Sequence, residues 1–147
     1  MQFWVLIIVF VVIIVAVSAW PRSTPPHNNR VALAKIHELR VLLSPYFPRL
    51  EHLPIVVSES TSYTINKERV FLCLFDEHGR LYHDNMLVYV LLHEYAHVIN
   101  SDVGHTQAFH TTFDSILLTA QTAGLYNPAI PLADKYCDYH PNVFSPL

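Results

Sequence analysis

The sequence lacks several features that commonly indicate a function. Its nine basic and twelve acidic residues form no basic cluster, so an intrinsic nucleic-acid patch is not expected. It has two cysteines, Cys73 and Cys137, and no C-x-x-C pair, so neither a cysteine zinc motif nor a dithiol redox motif is indicated. We expect both cysteines to be free core thiols in a cytosolic domain. A single disulfide is the alternative in a lumenal one.

Charge is also absent from the N-terminus. Residues 3–20 contain no Asp, Glu, Lys or Arg, and a helix of this length would span roughly 27 Å, close to the thickness of a thin bilayer. Trp4 and Trp20 stand at its two ends, where interfacial aromatic residues are expected. We therefore predict a retained transmembrane helix in a single-pass membrane protein. A signal peptide cleaved near Ala19 is the alternative, and it would make the remaining chain lumenal or secreted.

The rest of the chain predicts a single domain. We assign residues 1–20 to the anchor, the proline-containing segment 21–29 to a linker, and residues 30–147 to one domain with one modest core. The first charges that flank the anchor, Arg22 and Arg30, lie on its C-terminal side. The positive-inside bias then predicts that the domain faces the cytosol.

The most informative motif is HEYAH at residues 93–97, within an apolar run from Met86 to Ile99 that predicts a buried helix. Residues four apart share a helix face, so the imidazoles of His93 and His97 should project the same way. Two neutral imidazoles supply half of a tetrahedral zinc site. Glu94 lies next to the first ligand and is the candidate general base.

A catalytic zinc needs a third protein ligand and an open position. We predict His105, which follows His97 after seven residues that include the turn formers Asn100, Ser101, Asp102 and Gly104. A second helix should begin at Thr106 and end near Gly124, with an apolar stripe at helical spacing. His110 is an alternative ligand, although a solvated helix face with Asp114 is the simpler interpretation. Asp102 or Asp114 could orient a ligand imidazole.

The remaining patterns predict an α+β domain. Residues 31–43 form an amphipathic pattern that Pro45 and Pro48 interrupt. Residues 55–59 begin a sheet, and residues 63–65 and 69–75 flank a plausible hairpin turn at Asn66-Lys67-Glu68. Residues 76–80, with Gly79, turn the chain toward the active-site helix, for which Asp84 is a natural cap.

The pattern Gly104-His105-x-x-x-Phe109 after H-E-x-x-H resembles the WLM and SprT-like zinc metallopeptidases. Between about Tyr63 and Asp138, the chain is similar to small WLM-like membrane proteins of large DNA viruses of eukaryotes. The resemblance implies a minimal zincin fold, in which a small twisted sheet packs on the H-E-x-x-H helix and a second helix. It also implies that Phe109 packs under the third ligand, and that residues 69–75 form an edge strand that lines the cleft and pairs with an extended polypeptide substrate. Proteolysis of DNA-bound or ubiquitin-family-modified proteins would follow from the family.

These residues predict a membrane-anchored zinc peptidase. One Zn²⁺ on His93, His97 and His105 would activate water, Glu94 would transfer its proton to the leaving amine, and Tyr126 or Tyr136 could stabilise the oxyanion. The alternatives are a metal-containing scaffold module without catalytic activity, and a structural membrane protein whose histidines are incidental. An intact Glu94 argues against the scaffold, because a non-catalytic domain has no chemical need for it.

Overall fold

The computed structural model describes residues 27–137. In chain order they form helix α1 (His27–Leu43), a short 3-10 helix (Pro48–Glu51), strands β1 (Ile55–Ser58), β2 (Tyr63–Ile65) and β3 (Arg69–Cys73), helix α2 (Asp84–Ile99) and helix α3 (Gln107–Thr122). The predicted α+β class is confirmed. Helix α1 begins at His27, so the last three residues of the predicted linker are helical. It ends two residues before Pro45, as predicted.

The sheet has three strands in the order β1-β3-β2. Strand β1 is parallel to β3, and β2 is antiparallel to it. The predicted hairpin is confirmed: the Glu68 amide donates to the Ile65 carbonyl oxygen at 3.0 Å. Asn66 and Lys67 between them have positive φ angles of 52° and 58°, which is the backbone geometry of a tight hairpin turn.

The expectation that residues 69–75 form an edge strand is wrong. Strand β3 pairs on both sides and is the central strand, whereas β2 forms the edge of the sheet and contacts helix α2. The reason is burial: Val70, Leu72 and Cys73 are all almost fully buried, and a continuous apolar run is typical of a strand that is covered on both faces. Phe75 lies beyond β3 and forms an isolated bridge with Leu81.

Helix α2 runs through the core. Most of its residues from Met86 to Val98 are buried, because it packs against the sheet and against α3. Its N-cap is His83, whose Nδ1 accepts a hydrogen bond from the Met86 amide at 3.3 Å. The prediction of Asp84 as the cap was therefore wrong by one residue, since Asp84 already lies in the first turn, where it forms an ion pair with Lys35 at 3.0 Å.

Cys73 and Cys137 form a disulfide across 64 positions of sequence, which corrects the expectation of free thiols. The physical cause is the neighbouring Tyr136, a buried residue whose hydroxyl donates to the Cys73 carbonyl oxygen. This contact holds the Cα atoms of the two cysteines 6.5 Å apart, within the range that a disulfide can bridge.

No helix among residues 27–137 is long and apolar enough to cross a membrane. The predicted anchor at residues 3–20, the first six residues of the linker and the alternative cleavage position near Ala19 lie outside the described residues.

Candidate metal centre

The structure brings together the three histidines that the sequence predicts as ligands. His93 and His97 project from adjacent turns of α2, and His105 reaches them from the loop that follows. The Nε2 atom of His105 lies 3.1 Å from Nε2 of His93 and 3.2 Å from Nε2 of His97. Among the described residues, these three form the group of His, Cys, Asp or Glu side chains that could hold a metal ion.

The spacing of these nitrogen atoms fits a tetrahedral metal. Zinc binds histidine nitrogen at roughly 2.0–2.1 Å, so two such ligands at a tetrahedral angle lie about 3.3 Å apart. The observed separations of 3.1 and 3.2 Å are close to this value. The three side chains can therefore share one small cation with little movement.

The histidines are also held in the protonation state that a metal requires. Burial, together with the neighbouring His97, His105 and His110, lowers the pKa of His93 to about 2. Burial, followed by the charges of His105 and Lys67, lowers the pKa of His97 to about 4. Burial and His110 also lower the pKa of His105. Neutral imidazole is the form that binds metal ions, so all three rings are ready to act as ligands at neutral pH.

The loop that carries His105 is held at several points. Helix α2 ends at Ile99, and the C-cap residue Asn100 has an extended backbone. Gly104 has a φ of +81°, and the space that a Cβ atom would enter there is open, so its backbone angle, not crowding, favours glycine at this position. Lys67 on the hairpin donates to the carbonyl oxygens of Asn100, at 2.7 Å, and Ser101. The hairpin turn therefore anchors the start of the ligand loop.

Two aromatic rings of α3 pack against the three imidazole rings. Phe109, almost fully buried on α3, stacks on His97 at a centroid distance of 4.3 Å and contacts His105 edge-on at 4.8 Å. Phe113, one turn further along, contacts His93 edge-on at 5.0 Å. The expectation that Phe109 packs under the third ligand is confirmed. The role of Phe113 was not predicted, although its place in the apolar stripe of α3 indicated that it is buried.

Glu94 lies in the same cleft as the three histidines, with 3% of its surface exposed. The hydroxyl of Thr64 donates to its Oε2 at 2.8 Å. Burial raises the pKa of Glu94 to about 7, and the hydrogen bond from Thr64 opposes this rise. A carboxyl group with a pKa near neutrality can both accept and return a proton.

The three histidines and Glu94 line one cleft of about 440 Å³. One wall is β2 and the hairpin turn, the floor is α2, and the opposite wall is the loop from Asp102 to His105. Of the residues missed by the sequence analysis, Thr64 and Lys67 lie in this lining. Both belong to the segment that carried the family resemblance, but no spacing rule connects them to the histidines.

The other residues considered as ligands, orienting groups or oxyanion donors make different contacts. The ring of His110 lies 6.3 Å from that of His105 and is not among the residues that line the cleft. Asp102 accepts a hydrogen bond from the Thr106 hydroxyl at 2.8 Å, so it holds the ligand loop. Tyr126 packs against Tyr89.

Tyr136, the other proposed oxyanion donor, is buried behind Ser62, which lines the cleft. Its hydroxyl donates to the Cys73 carbonyl oxygen and lies 2.7 Å from Oγ of Ser62, which accepts from the Cys73 amide at 2.9 Å. These contacts form a closed ring of hydrogen bonds that fastens the end of the described chain to β3. Tyr136 and Tyr126 are both absent from the lining of the cleft.

Comparison with known proteins gives viral relatives. The chain is 41% identical over 83 residues to an uncharacterised protein of Invertebrate iridescent virus 3, covering 56% of this chain and 52% of that protein. It is 42% identical over 79 residues to an uncharacterised protein of Invertebrate iridescent virus 6, covering 52% of this chain and 44% of that protein. The chain thus spans about half the length of these curated relatives. No protein-family model and no solved structure matches it. The expected similarity to viral proteins is confirmed.

Proposed function

We propose that this chain is a zinc-dependent peptidase of the WLM and SprT-like kind, with a minimal zincin fold. The observation that carries the proposal is the convergence of His93, His97 and His105 at tetrahedral spacing, in the same cleft as the buried carboxyl group of Glu94. Three histidines and an open position form the donor set of a catalytic zinc site, whereas structural zinc sites have four protein ligands.

Each residue has a role in the proposed reaction. His93, His97 and His105 hold the metal, and zinc in this position would activate a water molecule and polarise the substrate carbonyl. Glu94 accepts a proton from the attacking water and returns it to the leaving amine. Burial raises the pKa of this carboxyl group to about 7 in the metal-free protein, and a nearby zinc ion would favour the charged carboxylate that accepts the proton.

The proposed substrate is a polypeptide bound in extended form. Strand β2 is the edge of the sheet beside the cleft, and an exposed strand edge can pair with the main chain of an extended segment. We therefore propose that the substrate pairs with β2 and not with β3, which has no free edge.

We further propose that residues 3–20 anchor the enzyme in a membrane. The cytosolic orientation predicted from Arg22 and Arg30 competes with the disulfide between Cys73 and Cys137, since disulfides persist in oxidising compartments. For this reason we favour the lumenal or outer side of the membrane for the domain. Protease treatment of sealed vesicles that carry the chain with a C-terminal tag tests this: a protected tag supports the lumenal side, and a digested tag supports the cytosolic side.

The first experiment measures metal content. The full-length chain, purified in mild detergent, should contain about one zinc per chain. His105→Ala should lose most of it, because a ligand is removed, and His110→Ala should retain it. Loss of zinc from His110→Ala but not from His105→Ala would contradict the ligand assignment.

The second experiment measures cleavage of an unfolded protein such as denatured casein. Glu94→Gln is nearly isosteric and should keep zinc, yet it should lower turnover by about 10²–10⁴-fold through loss of the general base. Glu68→Gln, at an exposed position on the hairpin, is the matched control and should be fully active. Equal activity of Glu94→Gln and wild type would mean that a contaminant cleaves the substrate. A zinc-loaded wild type with no activity on several unfolded substrates would favour the scaffold module.

A further inference from the structure

Thr64 makes a contact with Glu94 that the general chemistry of the site does not require. Its Oγ1 lies 2.8 Å from the carboxylate Oε2 of Glu94 and 3.1 Å from the backbone carbonyl oxygen of the same residue. A single hydroxyl on the edge strand therefore reaches both the side chain and the main chain of the helix residue that we propose as the general base.

The strand geometry explains why this contact is well defined. Side chains alternate along a strand, and in β2 the side chains of Tyr63 and Ile65 are exposed, whereas that of Thr64 is partly buried against α2. The partner of Thr64 in the sheet is Val70, a fully buried residue of the central strand. Threonine has restricted χ1 freedom because it is branched at Cβ, so its hydroxyl has a stable direction.

A glutamate side chain has several rotatable bonds, and ordering it costs conformational entropy. In Glu94, the hydrogen bond from Thr64 holds one carboxylate oxygen, and burial restricts the rest of the side chain. The carboxylate is thus held in one orientation in the cleft that the three histidines also line. Proton transfer depends on such placement, because errors of about 1 Å can lower a rate by about 10²-fold.

We propose that Thr64 is a positioning residue that orients the Glu94 carboxylate for proton transfer. This inference rests on the proposed peptidase function and adds to it a residue outside the H-E-x-x-H motif. The hydroxyl is the functional group, and the methyl group contributes packing alone. Thr64→Val removes the hydroxyl and keeps the shape, whereas Thr64→Ser keeps the hydroxyl and removes the methyl group.

The test uses the full-length protein, with zinc content, kcat and KM measured for each variant. Thr64→Val should keep its zinc and a KM within about twofold of wild type, but kcat should fall by about 10–100-fold. Thr64→Ser should recover kcat to within a few-fold of wild type. Thr111→Val, which removes an exposed α3 hydroxyl that bonds to its own helix, is the matched control and should be unchanged.

A double variant separates positioning from a structural effect. If Thr64 acts through Glu94, Thr64→Val should cost little further activity in a Glu94→Gln background, because residues that act as a unit are strongly non-additive. Normal kcat in Thr64→Val, or equal losses in the Val and Ser variants, would overturn this inference and leave the peptidase function standing. Absence of turnover by zinc-loaded wild type would overturn both.

Discussion

The contact between Lys67 and the ligand loop leads to a quantitative prediction. The ammonium group of Lys67 donates to the carbonyl oxygens of Asn100, at 2.7 Å, and Ser101. These carbonyls stand where α2 ends and the loop to His105 begins. Lys67→Met keeps the aliphatic stem and removes both hydrogen bonds, so the loop should become less well ordered and the third ligand less well placed.

Lys67→Met affects zinc affinity in two opposite ways, through the lost charge and through the lost hydrogen bonds. The positive charge of Lys67 lowers the pKa of His97, and it would also repel a bound cation, so its removal favours metal binding. Lys67 is only partly buried, however, and solvent and salt screen such a charge strongly. Loss of the hydrogen bonds acts on the loop directly, and hydrogen bonds to charged groups make a net contribution of about 1.5–3 kcal/mol each.

We therefore expect the loss of the hydrogen bonds to have the larger effect, so that zinc affinity falls. Changes in residues that support metal ligands typically lower metal affinity about 10–100-fold. For Lys67→Met we expect a loss of zinc affinity near the lower end of this range, about tenfold or 1.4 kcal/mol. The loop keeps other supports, since Asp102 still accepts from the Thr106 hydroxyl at 2.8 Å.

The assay is competition for zinc between the purified full-length protein and a chromogenic chelator. Lys135→Met is the matched control: this lysine forms an ion pair with Glu77 at 2.6 Å, and neither residue lines the cleft. It should bind zinc as tightly as wild type. Unchanged affinity in Lys67→Met would refute the anchoring argument, and increased affinity would show that charge repulsion is the larger effect.

Two further predictions concern stability. Cys137→Ser should lower the free energy of unfolding by up to about 4 kcal/mol, because the disulfide closes a long loop with a sequence separation of 64; an unchanged midpoint in denaturant under non-reducing conditions would mean that the native thiols are free. In the metal-free protein, the pKa of His93 is about 2 and that of Glu94 about 7. His93 stays neutral in the folded state. Its contribution to the free energy of unfolding therefore decreases as the pH is lowered from about 6.5, and the decrease reaches about 2 kcal/mol at pH 5. The raised pKa of Glu94 changes the free energy of unfolding in the opposite direction. Its stabilising contribution is complete below about pH 4.5 and is lost as the pH rises through 7. The pKa of His97 is lowered as well, to about 4, so wild type should lose stability between pH 7 and pH 5. Glu94→Gln lacks the opposing gain from Glu94 and should lose about 2 kcal/mol more than wild type. The same pH dependence of the unfolding free energy in the two proteins, measured with urea, would contradict this.

The convergence of the three histidines was predictable from the sequence because its geometry is local. His93 and His97 share a helix face by their spacing alone, and His105 follows after a segment rich in turn formers. The same holds for the hairpin at Asn66 and Lys67. In each case the relevant contacts lie within twelve residues along the chain, where backbone geometry leaves few alternatives.

The errors concern contacts between distant parts of the chain. Pairing β3 with both β1 and β2 makes it the central strand, and the disulfide joins Cys73 to a cysteine 64 positions away. Spacing rules carry no information on such pairs. The continuous apolar run from Val70 to Leu74 was a usable signal, since a strand with one exposed face would alternate. The cap of α2 was missed for a smaller reason: His83 takes the role through its Nδ1, although histidine is not a preferred capping residue.

The two residues that sequence reasoning left without a role, Thr64 and Lys67, belong to the same hairpin. Thr64 contacts the Glu94 carboxylate, and Lys67 contacts the start of the loop that carries His105. The hairpin therefore touches both the proposed base and the support of the proposed third ligand, while α2 carries the other two histidines. Because β2 is a short strand at the sheet edge, it depends on β3 and on these contacts for its position. Pairing of a substrate strand with β2 would add hydrogen bonds on its free side, and would thereby stabilise the same element that orients Glu94.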